Sequence, residues 1–141
     1  MLSTGSKAPM SSLPGLDGPV LLVFYKISCP ICQMTLPFLE RIAQGPLPIV
    51  AISQDDEAAT RRFQSRFGVT LPTRLESEDD GYPASNAFGI THVPSLFLVE
   101  PDGTIAIASE GFVKADLESI AQRAALPMFR ADESVPAWKA G

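Results

Sequence analysis

Cys29 and Cys32, in the stretch FYKISCPICQMTLPFLE (24–40), are the only cysteines of this 141-residue chain. Two thiols three positions apart suit four chemistries: half of a metal site, a structural staple, a peroxide-reducing thiol, or a reversible dithiol. Residues i and i+3 on a helical turn lie about 5–6 Å apart, within the separation a disulfide tolerates. A two-residue loop is so short that closing it adds little stability, which disfavours a staple. A closed zinc site takes four ligands, and the chain offers two cysteines and one histidine, His92. No metal is therefore expected. Cys29 stands immediately before Pro30, and proline suits the first position of a helix because its missing N–H is an orphan there anyway. That places Cys29 at a helix N-cap, where free N–H groups and the helix dipole favour a thiolate. Cys29 is the expected nucleophile. Cys32, one turn inside and shielded, is expected to resolve the mixed disulfide.

These residues need a frame. The run VLLVFY (20–25) is continuous and apolar, as in a strand buried on both faces. A largely buried helix is expected from Pro30 to about Ala43, kinked at Pro37. LPIVAIS (47–53) predicts a second strand, and DDEAATRRFQSRFG (55–68) a helix with acids at its start and Gly68 as its stop. LPTRLE (71–76) can add a brief strand and DDGYPASNAFGI (79–90) a short helix. PSLFLVE and TIAIAS (94–100 and 104–109), joined by Pro-Asp-Gly, predict a hairpin. A last amphipathic helix spans 113–125. The order implies a single α/β domain over 1–141, with an irregular arm over 1–19 and a tail over 126–141. Its dithiol falls at the carboxyl end of the first long strand, where α/β sheets tend to place their chemistry.

Composition narrows the partners. The chain is 45% hydrophobic and 19% charged, which marks a globular protein. A net charge of −5 argues against a nucleic-acid partner. No segment approaches the roughly 18 apolar residues of a membrane span. The start, MLSTGSKAPMSS, lacks the pattern of a secretory signal, so a cytoplasmic monomer is expected.

LLVFYKISCPICQMTLPFLERI resembles the active-site strand and helix of the thioredoxin superfamily, and THVPSLFLVEPDGTI (91–105) resembles its cis-proline loop and following hairpin. With AISQDDEAATRRF and YPASNAFGITHVPSLFLVEPDG added, residues 5–125 resemble the TlpA/ResA-type thiol–disulfide oxidoreductases. The resemblance implies a thioredoxin fold, a central mixed β-sheet flanked by α-helices on both faces. It also implies a cis Val93–Pro94 bond opposite Cys29, with Val93 and Pro94 shaping a groove for an extended substrate. Exchange with protein or small-molecule disulfides follows, with an unidentified electron donor and no cofactor. In a cytosolic poise the reductive direction is expected.

The chain departs from this pattern where carboxylates would serve Cys32: Val23 stands at the position of thioredoxin's buried Asp, and Thr35 at that of the ResA-type Glu. Ser28 replaces the usual Trp before the first cysteine. A peroxiredoxin is the nearest rival, but its Pro-x-x-x-Thr-x-x-Cys motif meets Leu22 and Lys26 before Cys29, or Tyr25 and Cys29 before Cys32. A thioredoxin-fold binding module, with incidental thiols, is the rival of another class. Pro30, Ile31, Tyr25, Lys26 and His92 are the further candidate neighbours of the site: Pro30 and Ile31 tune the dithiol, and Tyr25 shapes the rim or fills the core. Lys26 is an exposed strand-end lysine or a charge beside Cys29, and His92 is a loop histidine bonded to backbone or a proton donor near the sulfurs.

Overall fold

The computed structural model describes residues 1–141. Its centre is a five-stranded mixed sheet. β1 (Val20–Tyr25) lies between β2 (Ile49–Ser53) and β4 (Ser95–Val99). β3 (Thr73–Leu75) flanks β2 and β5 (Ile105–Glu110) flanks β4, giving the order β3-β2-β1-β4-β5. The pairings β1–β2 and β2–β3 are parallel, whereas β1–β4 and β4–β5 are antiparallel. The helix α1 (Pro30–Glu40) provides the crossover that a parallel β1–β2 pair requires, and α2 (Glu57–Phe67) does the same for β2 and β3. This is the thioredoxin fold.

All six residues of β1 are buried. Its alternate side chains enter different cores, which is why its sequence shows no polar alternation. Leu21, Val23 and Tyr25 join Leu36 and Leu39 of α1, Phe63 of α2, and Leu117 and Ile120 of α4 (Lys114–Ala124). Leu22 and Phe24 face the other side and meet Phe97 of β4 with Ala84 and Phe88 around α3 (Pro83–Ala87). Helices therefore cover both faces. Full burial of each large apolar side chain is worth about 1.5–3 kcal/mol, and that drives the sandwich together.

Local signals set the ends of these elements. The Asp56 side chain accepts from the Ala59 N–H at 2.7 Å and caps α2, which stops at Gly68 in the left-handed conformation. α1 ends at Glu40, earlier than its apolar pattern suggests. Beyond it the chain makes tighter turns, with N–H bonds from Arg41 to Phe38 and from Ile42 to Leu39, while Ile42 stays buried.

The first residues run beside β5: Gly5 N–H donates to Ile105, Ile105 N–H to Ser6, and Ala8 N–H to Gly103. Residues 126–141 are tied down at several points. Met128 is buried and Phe129 packs on Phe38 and Phe112. Arg41 donates to the Met128 carbonyl and to both carboxylate oxygens of Glu133. A short β6 (Phe112–Val113) then pairs antiparallel with β7 (Trp138–Lys139).

Candidate active site

β1 ends at Tyr25, and a short turn delivers Cys29 to the N-cap of α1 with Pro30 in its first turn. Both cysteines are free thiols; Cys29 is half-buried and Cys32 is fully buried. The Cys32 backbone N–H donates to Cys29 Sγ at 3.1 Å, so the cap is made by sulfur. The turn is braced by Cys29 N–H to the Lys26 carbonyl, by Gln33 Nε2 to the Ile27 carbonyl at 2.9 Å, and by Ile27 N–H to Asp55 Oδ2 at 2.8 Å.

Across from Cys29 lies the loop before β4. The Val93–Pro94 bond is cis. The Cys29 thiol donates to the Val93 carbonyl at 3.4 Å, which brings the dithiol and the proline loop into one site. A cleft of about 300 Å³ opens beside this loop, lined by Lys26, Gln54, Tyr82, Asn86, His92 and Val93 among others.

The other neighbours divide. Pro30 is exposed on the first turn of α1, and Ile31 is half-buried with its carbonyl taken by the Thr35 hydroxyl at 2.6 Å. Thr35 is thus spent on its own helix. Lys26 is exposed, and its backbone carbonyl is what the dithiol turn uses. The His92 ring turns to Glu110, with Nδ1 2.6 Å from the carboxylate and 3.1 Å from the Thr91 hydroxyl. Tyr25 lies in the core rather than at the rim: it is fully buried against Phe63, with ring centroids 5.0 Å apart. Its hydroxyl makes no hydrogen bond, and the nearby Ser53 hydroxyl bonds to Thr60 at 2.7 Å.

Burial pushes the Cys32 thiol far above the ordinary cysteine range. The adjacent Cys29 sulfur and the charge of Asp55 push the same way, and the Lys26 backbone offsets part of this. Burial also raises Tyr25 to about 12, with Asp55 and Cys32 adding to the shift against the Ser53 hydroxyl. Asp55 is the carboxylate that the sequence did not single out. It stands among three consecutive acids, Asp55, Asp56 and Glu57, and only its bond to Ile27 distinguishes it.

A half-exposed sulfur capping a helix, a shielded partner one turn in, and against the first sulfur the Val93 carbonyl that precedes a cis proline make this a thiol–disulfide oxidoreductase of the thioredoxin superfamily. Comparisons with known proteins agree. The AhpC/TSA family model matches residues 3–108, and the chain belongs to that family. The thiol-disulfide oxidoreductase ResA of Geobacillus thermodenitrificans is 26% identical over 141 aligned positions, covering 84% of this chain and 79% of that protein. Among solved structures, the thioredoxin domain of a thiol-disulfide oxidoreductase from Bacteroides vulgatus superposes with a TM-score of 0.71 at 21% identity, over 87% of this chain and 98% of that one. A secreted Mycobacterium tuberculosis disulfide oxidoreductase superposes with a TM-score of 0.58 at 17% identity, over 75% of this chain and 79% of that one.

The cytoplasmic placement expected from the sequence is corrected by these relatives, which include a protein described as secreted. Compartment is addressed by leader and anchor segments that lie apart from a folded exchanger, so the residues of the fold do not carry it. The expectation of a reductive direction rested on a cytosolic poise, so that argument for it no longer applies.

Proposed function

We propose that Cys29 is the attacking thiol, Cys32 the resolving thiol, and Val93 with Pro94 the docking edge for the disulfide of a protein or small molecule. The observation that carries this reading is the asymmetry of the pair: one sulfur is half-exposed with a backbone N–H aimed at it, the other fully buried one turn inside. In the first step the Cys29 thiolate attacks one sulfur of a disulfide, forming a Cys29–substrate disulfide and releasing the other half as a thiolate. In the second, the Cys32 sulfur attacks Cys29 Sγ, closes the Cys29–Cys32 disulfide and releases the second half. The proton of Cys32 leaves with that thiol. The pair loses two electrons and the substrate gains them; run backwards, the same steps oxidise a dithiol. Direction follows from the potential of the pair against its compartment, and a separate thiol or disulfide donor must reset it.

Trapping tests the roles. Cys32→Ser should accumulate a disulfide between Cys29 and a test disulfide, seen as one added mass, while Cys29→Ser should not react at neutral pH. Trapping on Cys32 instead would reverse the assignment.

A further inference from the structure

The segment 138–141 follows an unexpected course. It leaves the β6–β7 pairing, passes over Gly111 and comes to rest on the proline loop. Gly111 sits at φ +79 with its N–H on the Pro94 carbonyl at 2.8 Å, and a Cβ there would collide with the Lys139 carbonyl. A Cβ at Gly141 would collide with the carbonyl of Val93 and lie 3.4 Å from the nitrogen of Pro94. Only glycine allows so close an approach of backbone to backbone. The carbonyl it covers is the one that accepts from Cys29.

We propose that residues 138–141 set substrate selection at the dithiol by occupying the docking edge that an extended polypeptide would need. The inference rests on the role proposed above for Val93 and Pro94. Cys29 remains half-exposed beneath the segment, so a small disulfide reaches it directly. A polypeptide laid along Val93 must first displace the chain. The hold on that segment is light. Upstream, Met128, Phe129 and the Arg41–Glu133 pair anchor the tail. Beyond them the two residues of β7 are both exposed, Trp138 by 62%. A two-residue ladder in which β7 contributes no buried side chain is marginal by itself. Tethering keeps the displaced segment at a high effective concentration near the groove, so it competes with every incoming chain. Polypeptides are therefore admitted in proportion to the fraction of time the edge stands open.

The test compares the full chain with Gly141→Val, whose side chain cannot fit against Val93, and with a variant lacking 138–141. Each is reduced, then oxidised in stopped flow by two probes: dithiobis(nitrobenzoate) as the small disulfide and insulin as the polypeptide disulfide. An edge open a tenth of the time predicts that both variants react about tenfold faster with insulin. Their rates with the small probe should stay within about twofold, since the dithiol itself is untouched. Equal insulin rates in all three proteins would overturn the inference, and so would equal acceleration with both probes, which would signal general loosening. If the small probe oxidised none of the three, the exchange reading itself would fail; reaction of all three with it, without selectivity for insulin, would remove only the role of the segment.

Discussion

The thiol of Cys29 donates to the backbone carbonyl of Val93 at 3.4 Å, joining two residues 64 positions apart. β1 and β4 make this possible. They pair antiparallel, with Phe24 opposite Ser95, so the exit of β1 and the approach to β4 meet at the same end of the sheet. The sheet therefore builds one site from two distant sequence motifs.

Alkaline pH should separate the reduced and oxidised forms. Burial first, then the Cys29 sulfur and Asp55, hold Cys32 protonated in the folded state well above the pH at which an unfolded cysteine ionises. A raised folded value means stability that is complete below the unfolded value, about 8.5, and is lost as pH rises beyond it. The loss should approach about 1.4 kcal/mol per pH unit for this one proton. The disulfide form has no thiol to titrate, and burial, the leading cause that raises Tyr25 to about 12, is common to both. Denaturant titrations from pH 7 to 10 should show the reduced form losing ground against the oxidised one. A constant difference would contradict a protonated, buried Cys32.

Asp55 acts on Cys32 through its negative charge, after burial and the neighbouring sulfur. Asp55→Asn keeps an oxygen for the Ile27 N–H and removes the charge. In a Cys29→Ser background, where Cys32 is the only thiol, ultraviolet thiolate absorbance should then rise at lower pH than with Asp55 present. An unchanged or higher midpoint would mean that the Asp55 charge does not govern this thiol.

Asp56 caps α2. Its side chain accepts the Ala59 N–H at the start of α2. Asp56→Ala should cost about 1 kcal/mol in denaturant unfolding, while leaving the rate with a small disulfide unchanged. A large change in exchange rate would show that α2 positions the dithiol more directly than its contacts indicate.

These two neighbouring acids show where the sequence is readable and where it is not. The cap of α2 follows from an acid ahead of an apolar stripe, whereas the turn of Asp55 towards Ile27 depends on where β2 and the dithiol turn sit in space. β1 was legible because an uninterrupted apolar run suits a strand buried on both faces. The same uniformity hid whether Tyr25 lined the rim or the core, since every residue of that strand is buried. The apolar pattern of α1 ran on to Ala43 because Ile42 is buried in a turn as fully as in a helix. The place of His92 before Pro94 leaves open a loop histidine or a neighbour of the sulfurs, and the partner of its ring, Glu110 at the end of β5, is set by strand pairing that the local sequence does not show. The path of 138–141 was invisible: a two-residue strand with exposed side chains leaves no periodicity. The cysteines themselves were plain, because two thiols at a strand–helix junction have few other uses.

The central claim is that Cys29 and Cys32 form one reversible two-electron couple. The direct measurement is a redox titration in defined thiol–disulfide buffers, with free thiols alkylated and counted by mass. The account predicts a single transition in which both thiols disappear together, at a potential between about −120 and −270 mV, the span of thioredoxin-fold exchangers. Two thiols that stay free in every buffer, or that disappear one at a time, would contradict it.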